Sequence, residues 1–231
     1  MIICGYEKFS MVDFDGKITC TVFTGGCNFR CPFCHNGALV IGDVKSGQID
    51  CDEVFDYLQK RKGLVDAVSV TGGEPTLQSD LADFLRKVRD LGYQTKLDSN
   101  GLRPDVLRRI VEQDLVDYLA MDVKNSPEKY ALTVGLEKID LGKINESIDL
   151  LKTCGVDHEF RTTVIKEFHT DEDMRAIAEW VKGAKRYVMQ KYKDSEGCIS
   201  HGYTPLEKDD VQRYATYFDG LVEKVDLRGY N

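Results

Sequence analysis

Strand-like and helix-like segments alternate along nearly the whole chain, and this alternation restricts the fold more than any other feature. Ile18 to Thr24 is rich in β-branched residues and predicts a strand. Asp50 to Lys62 carries Val54, Phe55 and Leu58 at helical spacing. Asp66 to Thr71 predicts a second strand. Leu77 to Leu91 is a helix stopped by Gly92, and Gln94 to Ser99 a third strand with a turn at Asn100-Gly101. Pro104 opens a helix, Leu115 to Val123 is a fourth strand, and Lys138 to Thr153 a helix closed by Gly155. Asp157 to Ile165, Asp171 to Lys182, Arg186 to Tyr192 and Pro205 to Phe218 continue as strand, helix, strand, helix. A repeated βα pattern predicts a parallel sheet. Six strands are too few for a complete eight-stranded barrel. The pattern itself fits both an incomplete (β/α)6 barrel and a doubly wound open sheet.

Within 231 residues, 42% are apolar and 30% charged, which is globular composition with enough chain for a full core. The formal net charge of −8 argues against a broad basic footprint, so neither nucleic acid nor a membrane is expected as partner. No apolar run reaches the ~18 residues of a membrane span. Glu7 and Lys8 come too early for a secretory leader, so the expected location is cytoplasmic.

Polar residues gather where the strands end. The second strand ends in Thr71-Gly72-Gly73-Glu74-Pro75, the third in Asp98-Ser99-Asn100-Gly101, and the fourth in Asp122-Val123-Lys124. The fifth carries Glu159, Arg161 and Thr163 at period two, and the sixth carries Gln190. One polar strand end marks only the start of a loop. Five together point to a site, because parallel βα folds build their sites at the carboxyl ends of the strands. Gly72-Gly73 allows close backbone approach, to a ligand or simply in a tight turn. No dinucleotide or phosphate-loop signature is present.

Directly after the first strand comes Gly25-Gly26-Cys27-Asn28-Phe29-Arg30-Cys31-Pro32-Phe33-Cys34-His35-Asn36. Eight cysteines are many for a reducing compartment, where clustered thiols indicate metal or redox chemistry rather than disulfides. The C-x3-C-x2-C spacing lets three soft thiolates grip three corners of a four-iron cluster and leave one iron open. The competing reading is a Cys3His zinc site in an interaction module, with His35 as fourth ligand, but His35 adjoins Cys34 and both would have to reach one ion. Cys4, Cys20, Cys51, Cys154 and Cys198 are scattered, as buried small hydrophobes are.

The triplet, with aromatic Phe33 before its last cysteine, resembles that of the radical S-adenosylmethionine (SAM) enzymes. Cys31 to Asn36, Gly72 to Pro75, Asp98 to Gly101 and Asp122 to Lys124 resemble the activating enzymes of glycyl-radical enzymes. The opening, Lys8-Phe9-Ser10 through Asp13 and Gly16-Lys17 to Phe23-Thr24, is similar to the anaerobic ribonucleotide reductase activating proteins. The resemblance implies a single radical SAM domain over 1–231, an incomplete (β/α)6 TIM-like barrel with an N-terminal segment 1–17 and a C-terminal helical extension from about 195 to 231. It implies a [4Fe-4S] cluster on Cys27, Cys31 and Cys34, which cleaves SAM reductively to a 5′-deoxyadenosyl radical. That radical takes hydrogen from a glycine Cα of a partner, a glycyl-radical enzyme such as anaerobic ribonucleotide reductase. The alternatives are a different glycyl-radical enzyme or a small molecule as substrate. Electrons would come from a flavodoxin or ferredoxin. Gly72, Gly73 and Glu74 would line the methionine end of SAM, Asp98 accept from its amino group, and Lys124 donate to its carboxylate. Asp122 would face the ribose, Phe33 and His35 the adenine. Asn100, Arg161 and Gln190 complete the expected site, with a monovalent cation as a further cofactor near Asp98 and Asp122. Related activases place a histidine near the end of the sixth strand, where this chain has Met189-Gln190-Lys191-Tyr192, so Gln190 or Tyr192 would substitute.

Overall fold

In the computed structural model, which describes residues 1–230, the elements follow in the order β1 (Ile3–Ser10), β2 (Thr19–Thr24), α1 (Gly37–Ile41), α2 (Cys51–Lys60), β3 (Ala67–Gly72), α3 (Leu81–Asp90), β4 (Gln94–Ser99) and α4 (Pro104–Glu112). Then come β5 (Tyr118–Asp122), α5 (Tyr130–Thr133), α6 (Leu141–Thr153), β6 (Asp157–Val164), α7 (Asp171–Trp180), β7 (Tyr187–Lys191), α8 (Lys208–Ala215) and β8 (Val225–Arg228). The eight strands form one sheet in sequence order. β1 is antiparallel to β2, and every later pair is parallel. Parallel neighbours need crossovers, and each one here contains a helix. The sheet does not close, because β1 and β8 remain its edges. The fold is thus the α/β, incomplete TIM-like barrel that the resemblance implies.

Local chemistry fixes the helix starts. The Asp50 side chain accepts the Asp52 N–H, Asp140 accepts the Gly142 N–H, and Thr170 and Asp173 form a reciprocal capping box. Both α3 and α6 begin a few residues later than their apolar spacing suggests, α6 at the Asp140 cap and α3 after Asp80, which makes no cap bond. The central strands bury nearly all their aliphatic side chains, and Tyr187 of β7 stacks on Phe218 with ring centroids 4.0 Å apart. Among the described residues no helix is long and apolar enough to cross a membrane.

Two strands lie outside the six expected. β1 hides in a sequence with exposed Glu7, Lys8 and Phe9 and two register irregularities against β2. β8 has four half-buried residues and lies in the segment expected to be a helical extension, which is therefore helix followed by strand. Between β1 and β2 the chain forms a strap across the foot of the barrel. The Asp13 carboxylate accepts from the Thr21 hydroxyl at 2.7 Å, and its carbonyl accepts from Lys96 Nζ at 2.6 Å. The Phe14 ring lies 5.4 Å from that of Tyr118, and Asp15 pairs with Arg186 at 2.6 Å, just before β7.

Candidate active site

The strand ends and the loop after β2 enclose a cavity of about 620 Å³, within the usual range for small-molecule sites. All fourteen residues singled out from the sequence line it. Ser99 and Thr163 of the polar strand ends line it too, and the structure adds Asp13, Lys96 and Arg228, among others. Lys96 was legible, since period two places it on the face of Asp98. Arg228 lies on β8 and left no signal.

The cysteine loop is shaped by amide bonds. Arg30 N–H donates to Val134 O at 2.8 Å, and Phe29 N–H to Cys27 Sγ at 3.4 Å. A segment after β7 is stitched to it: Gly37 N–H donates to Gly197 O at 2.8 Å, Ile199 N–H to Cys34 O at 3.2 Å, and Ser200 N–H to Pro32 O at 2.7 Å. His35 Nε2 lies 2.6 Å from Lys193 O, and its ring is 5.5 Å from that of Tyr192. Phe33 is buried against Phe168, with centroids 5.6 Å apart. Burial pushes all three thiols up, Cys31 to about 12, while Lys124 pulls the other way. Three thiols on one loop fit a four-iron cluster, which would stabilise the thiolates. The zinc reading needs His35, whose Nε2 faces Lys193 O and leaves only Nδ1 for an ion. Among the described residues no three His, Cys, Asp or Glu side chains converge on one ion.

Gly72 and Gly73 answer chiefly to the chain. A Cβ on Gly73 would lie 2.0 Å from Gly26 O, and one on Gly72, with φ +116°, 2.3 Å from Thr24 N. Their close approach is to the backbone leading into the cysteine loop. Gly73 N–H donates to Thr24 O and Glu74 N–H to Gly26 O, each at 2.8 Å. Glu74 is fully buried. It accepts from Thr76 N–H at 3.1 Å, the Thr76 hydroxyl, the Ser99 hydroxyl at 3.0 Å and Asn100 N–H at 2.7 Å. Burial pushes its carboxyl up against the pull of these donors. The Asn100 amide donates to Asn28 Oδ1 at 2.6 Å, tying the end of β4 to the cysteine loop.

A charged network crosses the cavity from β4 to β6. Arg161 is the register partner of Asp122; its Nε is 2.7 Å from Asp122 Oδ1 and its Nη2 3.3 Å from Asp98 Oδ2. Lys124 Nζ is 2.7 Å from Asp122 Oδ2. Lys96 Nζ is 2.9 Å from Asp98 Oδ1 and closes the pair on that side. Burial opposes ionisation of both aspartates, but the neighbouring cations outweigh it and hold both carboxyls below their ordinary range. Burial would likewise lower Lys124, yet Asp122 and the cysteine sulfurs raise it. Arg161 and the two lysines already neutralise both carboxylates, so these residues do not call for a monovalent cation. Gln190 of β7 faces the cavity, whereas Tyr192 is buried with its hydroxyl towards Cys198 Sγ at 3.7 Å. Of the two candidates to replace the strand-end histidine, Gln190 has the position.

Residues 21–181 match the model of the radical SAM superfamily. A protein of Methanocaldococcus jannaschii named as a glycyl-radical enzyme activating enzyme is 34% identical over 203 residues, covering 84% of this chain and 81% of the relative. The pyruvate formate-lyase-activating enzyme of Listeria monocytogenes is 33% identical over 134 residues, 54% of each chain. Among solved structures, Streptococcus suis SuiB with its precursor peptide SuiA superposes with a TM-score of 0.71 at 14% identity, over 90% of this chain and 48% of SuiB, a likeness of fold. On this match and on the thiol loop beneath the strand ends, the chain belongs to the radical SAM superfamily, whose enzymes work with a [4Fe-4S] cluster and SAM.

Proposed function

We propose that this chain activates a glycyl-radical enzyme, anaerobic ribonucleotide reductase in particular, by abstracting hydrogen from a glycine Cα of that partner. The observation that carries this reading is the likeness along four-fifths of a relative bearing the activating-enzyme name. The opening segment from Lys8 to Thr24 supports the reductase as partner, and a flavodoxin or ferredoxin is the proposed electron source. Cys27, Cys31 and Cys34 would hold the cluster, which when bound supplies the electron for reductive cleavage of SAM.

The chain's own residues would bind and orient. Asp98 would accept from the SAM ammonium, exchanging part of its contact with Lys96 for it. Lys124 would share its charge between Asp122 and the SAM carboxylate, and Asp122 would face the ribose. Gln190 would supply the polar contact on β7. Arg161 holds Asp98 and Asp122 in place for these contacts. Anaerobic iron and sulfide loading should give a SAM-responsive electron paramagnetic signal in the reduced protein, and Cys31→Ala should lose both cluster and SAM cleavage. Asp122→Ala should keep the cluster but weaken SAM binding by roughly 1–3 kcal/mol; unchanged SAM affinity would remove Asp122 from the site. With reductase, SAM and dithionite, a doublet glycyl radical signal is expected, and SAM cleavage without that signal would overturn the partner assignment.

A further inference from the structure

Lys96 of β4 is only 4% exposed, and a lysine is buried this far only where partners meet its charge. It has two. Its Nζ lies 2.9 Å from Asp98 Oδ1 and donates at 2.6 Å to the carbonyl of Asp13 on the strap. The strap is pinned around that carbonyl: the Asp13 carboxylate takes the Thr21 hydroxyl, Phe14 packs on Tyr118, and Asp15 pairs with Arg186. A carboxylate oxygen and a backbone carbonyl oxygen converging on one positive centre are the ligands that hard metal cations take from proteins. Here the centre is an ammonium. The other carboxylate oxygens are taken as well. Asp98 Oδ2 meets Arg161 Nη2 at 3.3 Å and the Thr71 hydroxyl at 3.1 Å. Asp122 Oδ1 meets Arg161 Nε and Asp122 Oδ2 meets Lys124 Nζ, each at 2.7 Å. A metal ion could bind these aspartates only by displacing one of the cations or by adding its own charge beside them, and buried like charges repel.

We propose that Lys96 stands in place of the monovalent cation expected near Asp98 and Asp122: its ammonium is a built-in counter-ion, held by the strap, that fixes the Asp98 carboxylate at the cavity wall and makes this chain independent of sodium and potassium. Lys96 is thus a positioning residue. It lies two residues before Asp98 on the same face of β4, so one strand sets both the cation and the carboxylate it serves. A carboxylate oxygen carries more than one lone pair, so Asp98 Oδ1 can keep Lys96 and still accept from a ligand ammonium. Truncating Lys96 to alanine would leave Asp98 Oδ1 and the Asp13 carbonyl facing the space of a lysine side chain, and a small bare cation is the natural occupant of such a space. The exchange of lysine for metal rests on this geometry; only its bearing on SAM rests on the place given to Asp98 in the proposed function.

The test uses the full chain loaded with iron and sulfide, in sodium, potassium or tetramethylammonium chloride at one ionic strength, the last cation being too large for the emptied space. The unaltered protein should melt within about 1 °C in all three salts and, by equilibrium dialysis, bind SAM within about twofold. In Lys96→Ala, an ion held with a Kd of about 10 mM raises the melting temperature by about 3–6 °C when present at about 100 mM. Sodium or potassium should give that rise over tetramethylammonium, and should change SAM affinity roughly tenfold or more. Lys96→Met, which removes the charge but fills the space, should show neither effect. A rise of about 3 °C or more in the unaltered protein would reveal an ion site beside Lys96 and overturn the inference. So would a Lys96→Ala protein that melts alike in the three salts or folds in none of them, because the ion then does not do the lysine's work. An ion-dependent melt without ion-dependent SAM affinity upholds the exchange of lysine for metal and removes Asp98 from the SAM ammonium, a failure of the proposed site and not of this inference.

Discussion

Glu74 shows how a residue can stand in a site and serve the scaffold. Sequence position at the end of β3 suggested a ligand contact. The structure instead gives both carboxylate oxygens to backbone and hydroxyl donors of Thr76, Ser99 and Asn100. Hydrogen bonds to a buried charge contribute about 1.5–3 kcal/mol each in mutational series. Glu74→Gln keeps the shape but turns an acceptor into a donor facing these groups. The variant should lose roughly 1.5–3 kcal/mol of stability in urea unfolding of the metal-free protein; a loss under 0.5 kcal/mol would show that the network tolerates the change. The same residues show why this site was legible. Asp98, Asp122, Lys124 and Arg161 are polar interruptions at strand ends, and period two brings them to one face. Asp13 was not legible as a site residue, because its place depends on how the strap crosses the barrel foot.

His169 governs how two elements stay together. It lies in the turn between β6 and α7, buried, where Nδ1 accepts from Ile165 N–H at 3.1 Å and Nε2 therefore donates to Lys124 O at 3.0 Å. The ring thus ties the turn after β6 to the chain just beyond β5, beside Asp122. Burial lowers its pKa, so it stays neutral in the fold while the unfolded chain takes a proton near pH 6.5. Its contribution is complete above that pH and is lost as pH falls towards the lowered value. One such proton gives a slope of up to ~1.4 kcal/mol per pH unit. Urea stability should fall between pH 7 and pH 5.5, and His169→Gln should flatten that fall. His158, also lowered by burial, keeps part of the slope in the variant. An equally steep fall in the variant would rule His169 out. Among whole elements, β4 matched its sequence pattern end to end, being bounded by a glycine turn on each side. β8 left no pattern, since four half-buried residues cannot show a period.

For the whole molecule, the cavity draws on strand ends from β3 to β8, so ligand binding couples to global stability. SAM at a hundred times its Kd should stabilise the cluster-loaded fold by ~2.7 kcal/mol. For a chain of this length that raises Tm by roughly 5–11 °C, at about 2–4 °C per kcal/mol. Anaerobic differential scanning fluorimetry should record it, and Asp122→Ala at the same SAM concentration should show a smaller rise. An equal rise in both would place the ligand elsewhere. The stitching of the segment after β7 onto the cysteine loop has one more consequence. Peptide groups of Pro32, Cys34 and Gly37 are bonded to residues 197–200, so any displacement of that distal stretch is passed directly to the sulfur-bearing turn.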